Sequence, residues 1–234
     1  MPCRIKVIVI SLKDYPDRLL KMEPMLKQLQ TIGLESETLY GVNGRNIEIK
    51  DTAIANIKRL MYDGQHLMYN RAVRVNGQPM TRGEFGCAWS HYNAYQKLID
   101  DPDTDAYLVL EDDAELLCSL ETVKDVLQHV PAEFDILRTT PSVWYPFTKT
   151  ESVTPHFYAY KKQYTSHATS YIVSKSGALK MVTYLGGFLN VPADDAYSNL
   201  YIYNDNVKSY ASETPLFKEM GTQPSHIHSV IDKQ

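Results

Sequence analysis

Ala106-Tyr107-Leu108-Val109-Leu110-Glu111-Asp112-Asp113-Ala114-Glu115 is the stretch from which the rest of the 234-residue chain is read. Five apolar residues run directly into three consecutive carboxylates. An apolar run of that length reads as a strand buried on both faces, as in α/β proteins. Three like charges a few ångströms apart repel one another and push their pKa values up. A divalent cation removes that cost, and ligands of open α/β sheets gather outside the carboxyl ends of strands. The stretch is therefore a candidate metal site at the mouth of a central strand. The alternative is a solvated strand-end loop whose acids cap a following helix. If the strand continues through the acids, Glu111 and Asp113 point to one side and Asp112 to the other. Two carboxylates on one side suit a hard cation, Mn²⁺ or Mg²⁺, with a diphosphate and water completing its shell.

Working outward, strands and helices alternate. Upstream, Lys6 to Leu12 reads as a buried strand and Pro16 to Ile32 as a helix, with Leu19, Met22, Leu26 and Leu29 at helical spacing. Pro24 inside that pattern is expected to kink or delay the helix. Glu37 to Tyr40 is a short strand ending in the turn Gly41-Val42-Asn43-Gly44. Residues 45 to 80 are poorly patterned, with a helix expected over Thr52 to Met61 and a hairpin-like turn at Asn76-Gly77, and read as a functional loop or lid. Thr81 and Glu84 have capping-box spacing for a helix from Arg82 to Ile99, with Phe85, Ala88, Tyr92 and Tyr95 on one face.

Downstream, the pattern predicts a helix over Leu120 to His129 and a strand over Phe134 to Leu137. Residues 141 to 165 read as loop or edge structure, Ala168 to Val173 as a strand, and Lys175 to Leu185 as a helix capped by Ser174. Pro192-Ala193-Asp194-Asp195 is an acidic loop leading into a short helix through Tyr201, followed by a strand over Val207 to Ala211 and an extended tail. This alternation predicts an α/β fold with a mostly parallel central sheet. With no repeat and no low-complexity linker, residues 1–234 read as a single domain.

Composition excludes several classes. At 44% hydrophobic and 22% charged the chain is neither disordered nor a membrane protein. Its 24 basic and 28 acidic residues include no basic block, which argues against nucleic acid as a partner. Cys3, Cys87 and Cys118 are odd in number and form no CxxC, as expected of reduced thiols in the cytoplasm. The apolar segment from Ile5 to Leu12 is broken by Lys6 and Ser11, too short for a signal peptide or a transmembrane segment. Peripheral membrane association through a partner stays open.

Two further groups carry candidate chemistry. Asp194-Asp195 offers a carboxylate as general base; the other reading is a helix cap. His226 and His228, two apart in the tail, can share one extended face and complete a metal site. No Gly-x-Ser-x-Gly, P-loop or dinucleotide glycine fingerprint is present.

Taken in order, several of these segments resemble glycosyltransferase family 25. They are Val9-Ile10-Ser11-Leu12 with Arg18, Gly41-Val42-Asn43-Gly44, Met80-Thr81-Arg82-Gly83-Glu84-Phe85-Gly86-Cys87-Ala88-Trp89-Ser90-His91, Leu108-Val109-Leu110-Glu111-Asp112-Asp113, Ser170 to Ala178, Pro192-Ala193-Asp194 and Thr214-Pro215-Leu216. The Gly-Glu-Phe-Gly-Cys-Ala-x-Ser-His block with Leu-Glu-Asp-Asp about twenty residues on is the most specific part.

The resemblance implies a GT-A type glycosyltransferase fold, a single Rossmann-like domain. It also implies a metal-dependent, inverting transfer of a hexose, most simply galactose, from a UDP-sugar donor to a hydroxyl of a glycan or glycoconjugate acceptor, as in lipooligosaccharide biosynthesis. Carried over, Asp113 becomes the direct metal ligand, Glu111 a water-mediated ligand or ribose contact, and Asp112 a contact to the donor sugar. Asp194 becomes the general base with Asp195 in reserve. Ser90 and His91 line the donor pocket, Arg18 meets the nucleotide, and Ser11 and Asn43 stand where the family usually has Asn and Asp near the uridine. The alternatives are a glucosyl or other hexosyl transferase, a non-catalytic nucleotide-sugar-binding member of the fold, and a nucleotidyltransferase.

Overall fold

A computed structural model describes residues 3–46, 81–140, 146–165, 167–186, 189 and 191–220. The elements, in chain order, are β1 (Ile5–Ser11), α1 (Pro16–Thr31), β2 (Ser36–Tyr40), a 3₁₀ turn (Gly44–Asn46), α2 (Arg82–Asp100), β3 (Ala106–Glu111), β4 (Ala114–Leu116), α3 (Leu120–Gln128), β5 (Ile136–Arg138), β6 (Lys149–Thr154), β7 (Phe157–Tyr160), β8 (Ser170–Ser174), α4 (Lys175–Leu185), α5 (Ala193–Tyr203), β9 (Ser209–Ser212) and β10 (Phe217–Glu219). The helix expected over Thr52 to Met61, the Asn76-Gly77 turn, and His226 and His228 lie outside the described residues.

Eight strands form one sheet in the order β2-β1-β3-β8-β5-β9-β7-β6. β1 pairs parallel with both β2 and β3, β5 pairs parallel with β9, and the remaining four pairings are antiparallel. Six strands therefore run one way, and only β8 and β7 are reversed. This is the α/β class read from the sequence, with a mixed sheet. A separate two-stranded ribbon joins β4 to β10. It was not expected, because three-residue strands carry no periodicity of their own.

The apolar run of β3 is buried at every position, since both faces of the sheet are covered. Tyr107 and Val109 join a cluster with Cys87, Ala94, Tyr95 and Leu98 of α2, Ala178 and Met181 of α4, and Ala196 and Tyr197 of α5. Ala106, Leu108 and Leu110 face the other way, onto Met22 and Leu29 of α1 and Val123 and Val126 of α3. Strand alternation thus deals one sequence into two cores. Helix α1 runs unbroken through Pro24. That residue is exposed, so the carbonyl left without its amide partner falls on the solvent side of the helix.

The capping box forms as expected: Glu84 N–H donates to the Thr81 hydroxyl, and Thr81 N–H donates to the Glu84 carboxylate. The buried face of α2 is rotated from the one expected. It is set by Cys87, His91, Ala94, Tyr95 and Leu98, while Tyr92 is only half-buried. Glycine decides how closely α2 meets the Gly41–Gly44 turn. A Cβ on Gly86 would lie 2.5 Å from Val42 O and 2.6 Å from Gly44 N, and one on Gly44 would lie 1.7 Å from Arg82 O. The two glycine-bearing motifs are one contact.

Gly86→Ala is accordingly expected to destabilise the fold by about 1 to 3 kcal/mol, the usual cost of forcing extra volume into a packed contact. Urea unfolding measures it, and an unchanged midpoint would mean the turn is not seated on α2. A second expectation concerns β2. Glu37 accepts from Lys6 at 2.7 Å and Lys97 at 2.8 Å. These two ammonium groups hold its carboxyl below the ordinary value. A carboxyl whose folded pKa is lowered stabilises the fold above its unfolded pKa and loses that contribution as pH falls through the folded one. Glu37→Gln should therefore lower the urea midpoint slightly at pH 7, with the gap to wild type closing on acidification. A gap independent of pH would assign the effect to packing.

Candidate active site

The chain leaves β1 towards β2 on one side and later returns as β3 on the other. The carboxyl ends of β1 and β3 therefore flank a topological switch point, where open α/β sheets leave a crevice. Ser11 ends β1 and Glu111 ends β3. The next two residues, Asp112 and Asp113, form a turn, not a continued strand. This overturns the alternation expected for the three acids. Glu111 alone follows the strand and is directed at α2. Asp112 and Asp113 converge on the other group, with both carboxylates 2.8 Å from the same Arg18 Nη2. The Ser11 hydroxyl donates to Asp112 Oδ2 at 2.8 Å. Burial pushes the Asp112 carboxyl up to about 6, against the opposing pull of Arg18 and Ser11. Arg18 is thus set on the acid pair.

Glu111 has no exposed surface. Its Oε1 lies 3.1 Å from His91 Nε2 and 3.6 Å from Cys87 Sγ. His91 Nδ1 lies 2.7 Å from the Tyr171 hydroxyl and 3.2 Å from that of Tyr197. Tyr95 joins both tyrosines, at 3.1 Å from Tyr197 and 3.2 Å from Tyr171. Burial raises the hydroxyl pKa of all three tyrosines. They therefore serve as neutral donors and acceptors. Cys87, His91 and Glu111 bring one ligand atom each to within 4.8 Å of one another. Tyrosines and the sheet enclose this group, so it is a buried hydrogen-bonded array that anchors the end of β3.

Ser90 and His91, expected to line a pocket, are both 1% exposed. Ser90 Oγ accepts from Val42 N at 2.8 Å and donates to Gly86 O at 2.7 Å, pinning the turn. Asn43 Nδ2 donates to Asp14 Oδ2 at 2.8 Å, and Asn46 does the same at 3.1 Å, so the turn is also tied to the loop after β1. These residues shape the crevice from behind.

Asp194 and Asp195 stand in the first turn of α5, whose N-cap is Pro192 with no side-chain cap. Neither is therefore the N-cap residue itself. Asp195 is 8% exposed and accepts from the Tyr164 hydroxyl. Asp194 is half-buried, and its Oδ2 accepts from His167 N–H at 3.3 Å. Burial, with the charges of Glu111, Asp194 and Asp113, raises the Cys87 thiol pKa.

Sequence reading passed over two residues here. Arg138, at the end of β5, is 2% exposed. Its Nη2 donates to the His167 carbonyl at 2.7 Å, and its guanidinium carbon lies 5.3 Å from the Tyr197 ring centroid. His167 is the one non-glycine residue with positive φ among the described residues, at 78°. A left-handed backbone at such a residue costs about 1 to 2 kcal/mol. It is retained where its carbonyl meets Arg138 and its amide meets Asp194. A lone Arg in a short strand gives no sign of burial, and positive φ at His has no sequence signature.

Two carboxylates thus converge beside the switch point, and a half-buried carboxylate stands in the first turn of α5. A family model described as glycosyltransferase family 25 (LPS biosynthesis protein) matches residues 4–197. Human procollagen galactosyltransferase 2 is 31% identical over 108 residues, which are 46% of this chain and 15% of that protein. Danio rerio procollagen galactosyltransferase 1 is 25% identical over 185 residues, 76% of this chain and 28% of that protein. The chain thus spans well under a third of the relatives it matches. Among solved structures, a Drosophila β-1,4-galactosyltransferase 7 variant in complex with manganese, UDP-Gal and xylobiose is similar at 12% identity and a TM-score of 0.46, covering 97% of this chain and 71% of that one. With the family's motifs spread from β1 to α5 and matched over most of its length, the chain belongs to glycosyltransferase family 25.

Proposed function

We propose that the chain is a metal-dependent, inverting hexosyltransferase that uses a UDP-sugar, with galactose as the favoured hexose. The acceptor is a hydroxyl of a glycan or glycoconjugate. The observation that carries this reading is the convergence of Asp112 and Asp113 on one cationic point, at 2.8 Å each, beside the switch point of the sheet. Hard oxygen donors arranged around a single positive charge fit Mn²⁺ or Mg²⁺. When bound, such an ion neutralises charge developing on the departing diphosphate.

The chain's own residues do the rest. Asp113 and Asp112 hold the cation, Glu111 fixes the turn that carries them, and Arg18 supplies positive charge to the same crevice. Inversion needs a single displacement, with a base on the face opposite the leaving group. Asp194 takes the acceptor proton, and Asp195, held by Tyr164, keeps the first turn of α5 in place. Galactose rests on the names of the relatives; a glucosyl donor differs by one epimeric hydroxyl.

A non-catalytic sugar-binding protein is disfavoured. Ser11 and Asn43, the departures from the family pattern, are both used inside the scaffold, on Asp112 and Asp14. Residues 1–234 are read as one glycosyltransferase domain, which the continuous eight-stranded sheet supports. A cytoplasmic setting is part of the same proposal. No helix among the described residues is long and apolar enough to cross a membrane.

Purified protein with Mn²⁺ and UDP-galactose should release UDP slowly by hydrolysis. Asp113→Ala should abolish metal-dependent UDP binding in calorimetry. Absence of both UDP binding and hydrolysis in the wild type would overturn the reading. Asp194→Ala should keep UDP affinity and lose turnover by about 100-fold or more, the usual contribution of a positioned base. Unchanged turnover would remove Asp194 from that role.

A further inference from the structure

A second group of ligating side chains lies far from the crevice and is used by nothing described above. Asp125 lies on α3, His129 is the residue that caps its C-terminus, and His156 sits in the turn between β6 and β7. A carboxylate oxygen of Asp125 and one ring nitrogen from each histidine lie within 4.8 Å of one another. Asp125 presents a different oxygen to each ring: Oδ2 is 2.9 Å from His156 Nε2, and Oδ1 is 3.3 Å from His129 Nδ1. The two imidazoles are 5.1 Å apart between centroids, tilted at 60°. His129 Nδ1 also lies 2.8 Å from the Asp125 main-chain oxygen, a hydrogen bond that an ion taking Nδ1 would replace.

We infer that Asp125, His129 and His156 form a binding site for a divalent transition-metal cation, Zn²⁺ or one of its neighbours. Three features carry this. Two imidazoles and one carboxylate are the donor set that prefers zinc, nickel or copper to magnesium or calcium. The ligands are already gathered, two by the i, i+4 spacing of one helix and one from a chain segment thirty residues away, so little ordering is left to the ion. The site is also open: the side chains of Asp125, His129 and His156 are 55%, 43% and 23% exposed, which leaves room for water as a fourth ligand.

The hairpin β6–β7 forms the edge of the sheet, and α3 lies on the face that Phe157 also packs against. A bound ion would therefore clamp the C-terminal turn of α3 to that edge. β7 is four strands from β3, roughly 19 Å at the usual interstrand spacing, so this site is distinct from the carboxylates at Asp112 and Asp113.

The test is thermal unfolding and calorimetry with ZnCl₂, without nucleotide, on the full chain. Wild type should bind about one equivalent and gain thermal stability, since an ion that binds only the folded state stabilises it by mass action. His129→Gln and His156→Gln, both on the surface, should each weaken binding by at least about tenfold. Asp113→Ala should bind Zn²⁺ as wild type does, which keeps this result separate from the fate of the proposed donor site. No Zn²⁺-dependent gain in the wild type, or a gain retained in either histidine variant, overturns the assignment.

Discussion

A carboxylate with no exposed surface stands at the end of the most deeply buried strand, and much of the fold is arranged to tolerate it. Burying a carboxyl such as that of Glu111 is costly unless it is hydrogen-bonded. His91 meets it at 3.1 Å, and Tyr171 and Tyr197, joined by Tyr95, in turn fix the His91 ring. These five side chains come from α2, β3, β8 and α5. Removing His91 leaves the buried Glu111 carboxyl without its imidazole partner. The position of α5, and with it Asp194, is thus tied to the same hydrogen bonds that hold the end of β3.

The two halves of the crevice are built by different means. On the β3 side, a short turn and one arginine gather charge. On the α5 side, the backbone is bent into an uncommon conformation at His167 so that one amide can face Asp194. Glycines and Ser90 bring the Gly41–Gly44 turn onto α2, which closes the back. Each device is local in space and remote in sequence.

Much of this was legible beforehand, and the residues show why. The burial of β3 shows as an unbroken apolar run, and the capping box at Thr81 and Glu84, the Ser174 cap and the helix from Lys175 to Leu185 rest on contacts within a few residues. The rest depends on partners that no local pattern names. Strand alternation put Asp113 on one side with Glu111, but the chain turns at Asp112 and sets both aspartates on Arg18, almost a hundred positions earlier. Charge in a sequence reads as surface, so the buried Arg138 was passed over. The face of α2 was mis-set because Cys87 and His91 count as weakly apolar, although both are buried.

The ribbon of β4 and β10 has a consequence for how the molecule comes to be folded. Its Glu219↔Ala114 pairing and the bond from Met220 N–H to Asp113 O, 2.8 Å long, brace the turn that bears the acid pair. The two strands are separated by roughly a hundred residues, and closing so long a loop is an entropic cost that must be met before the contact returns anything. The two acids sit at the end of an early, central strand, yet their backbone is secured by one of the last described segments. The fixed geometry of the two carboxylates therefore depends on a pairing as remote in sequence as that of β1 with β3.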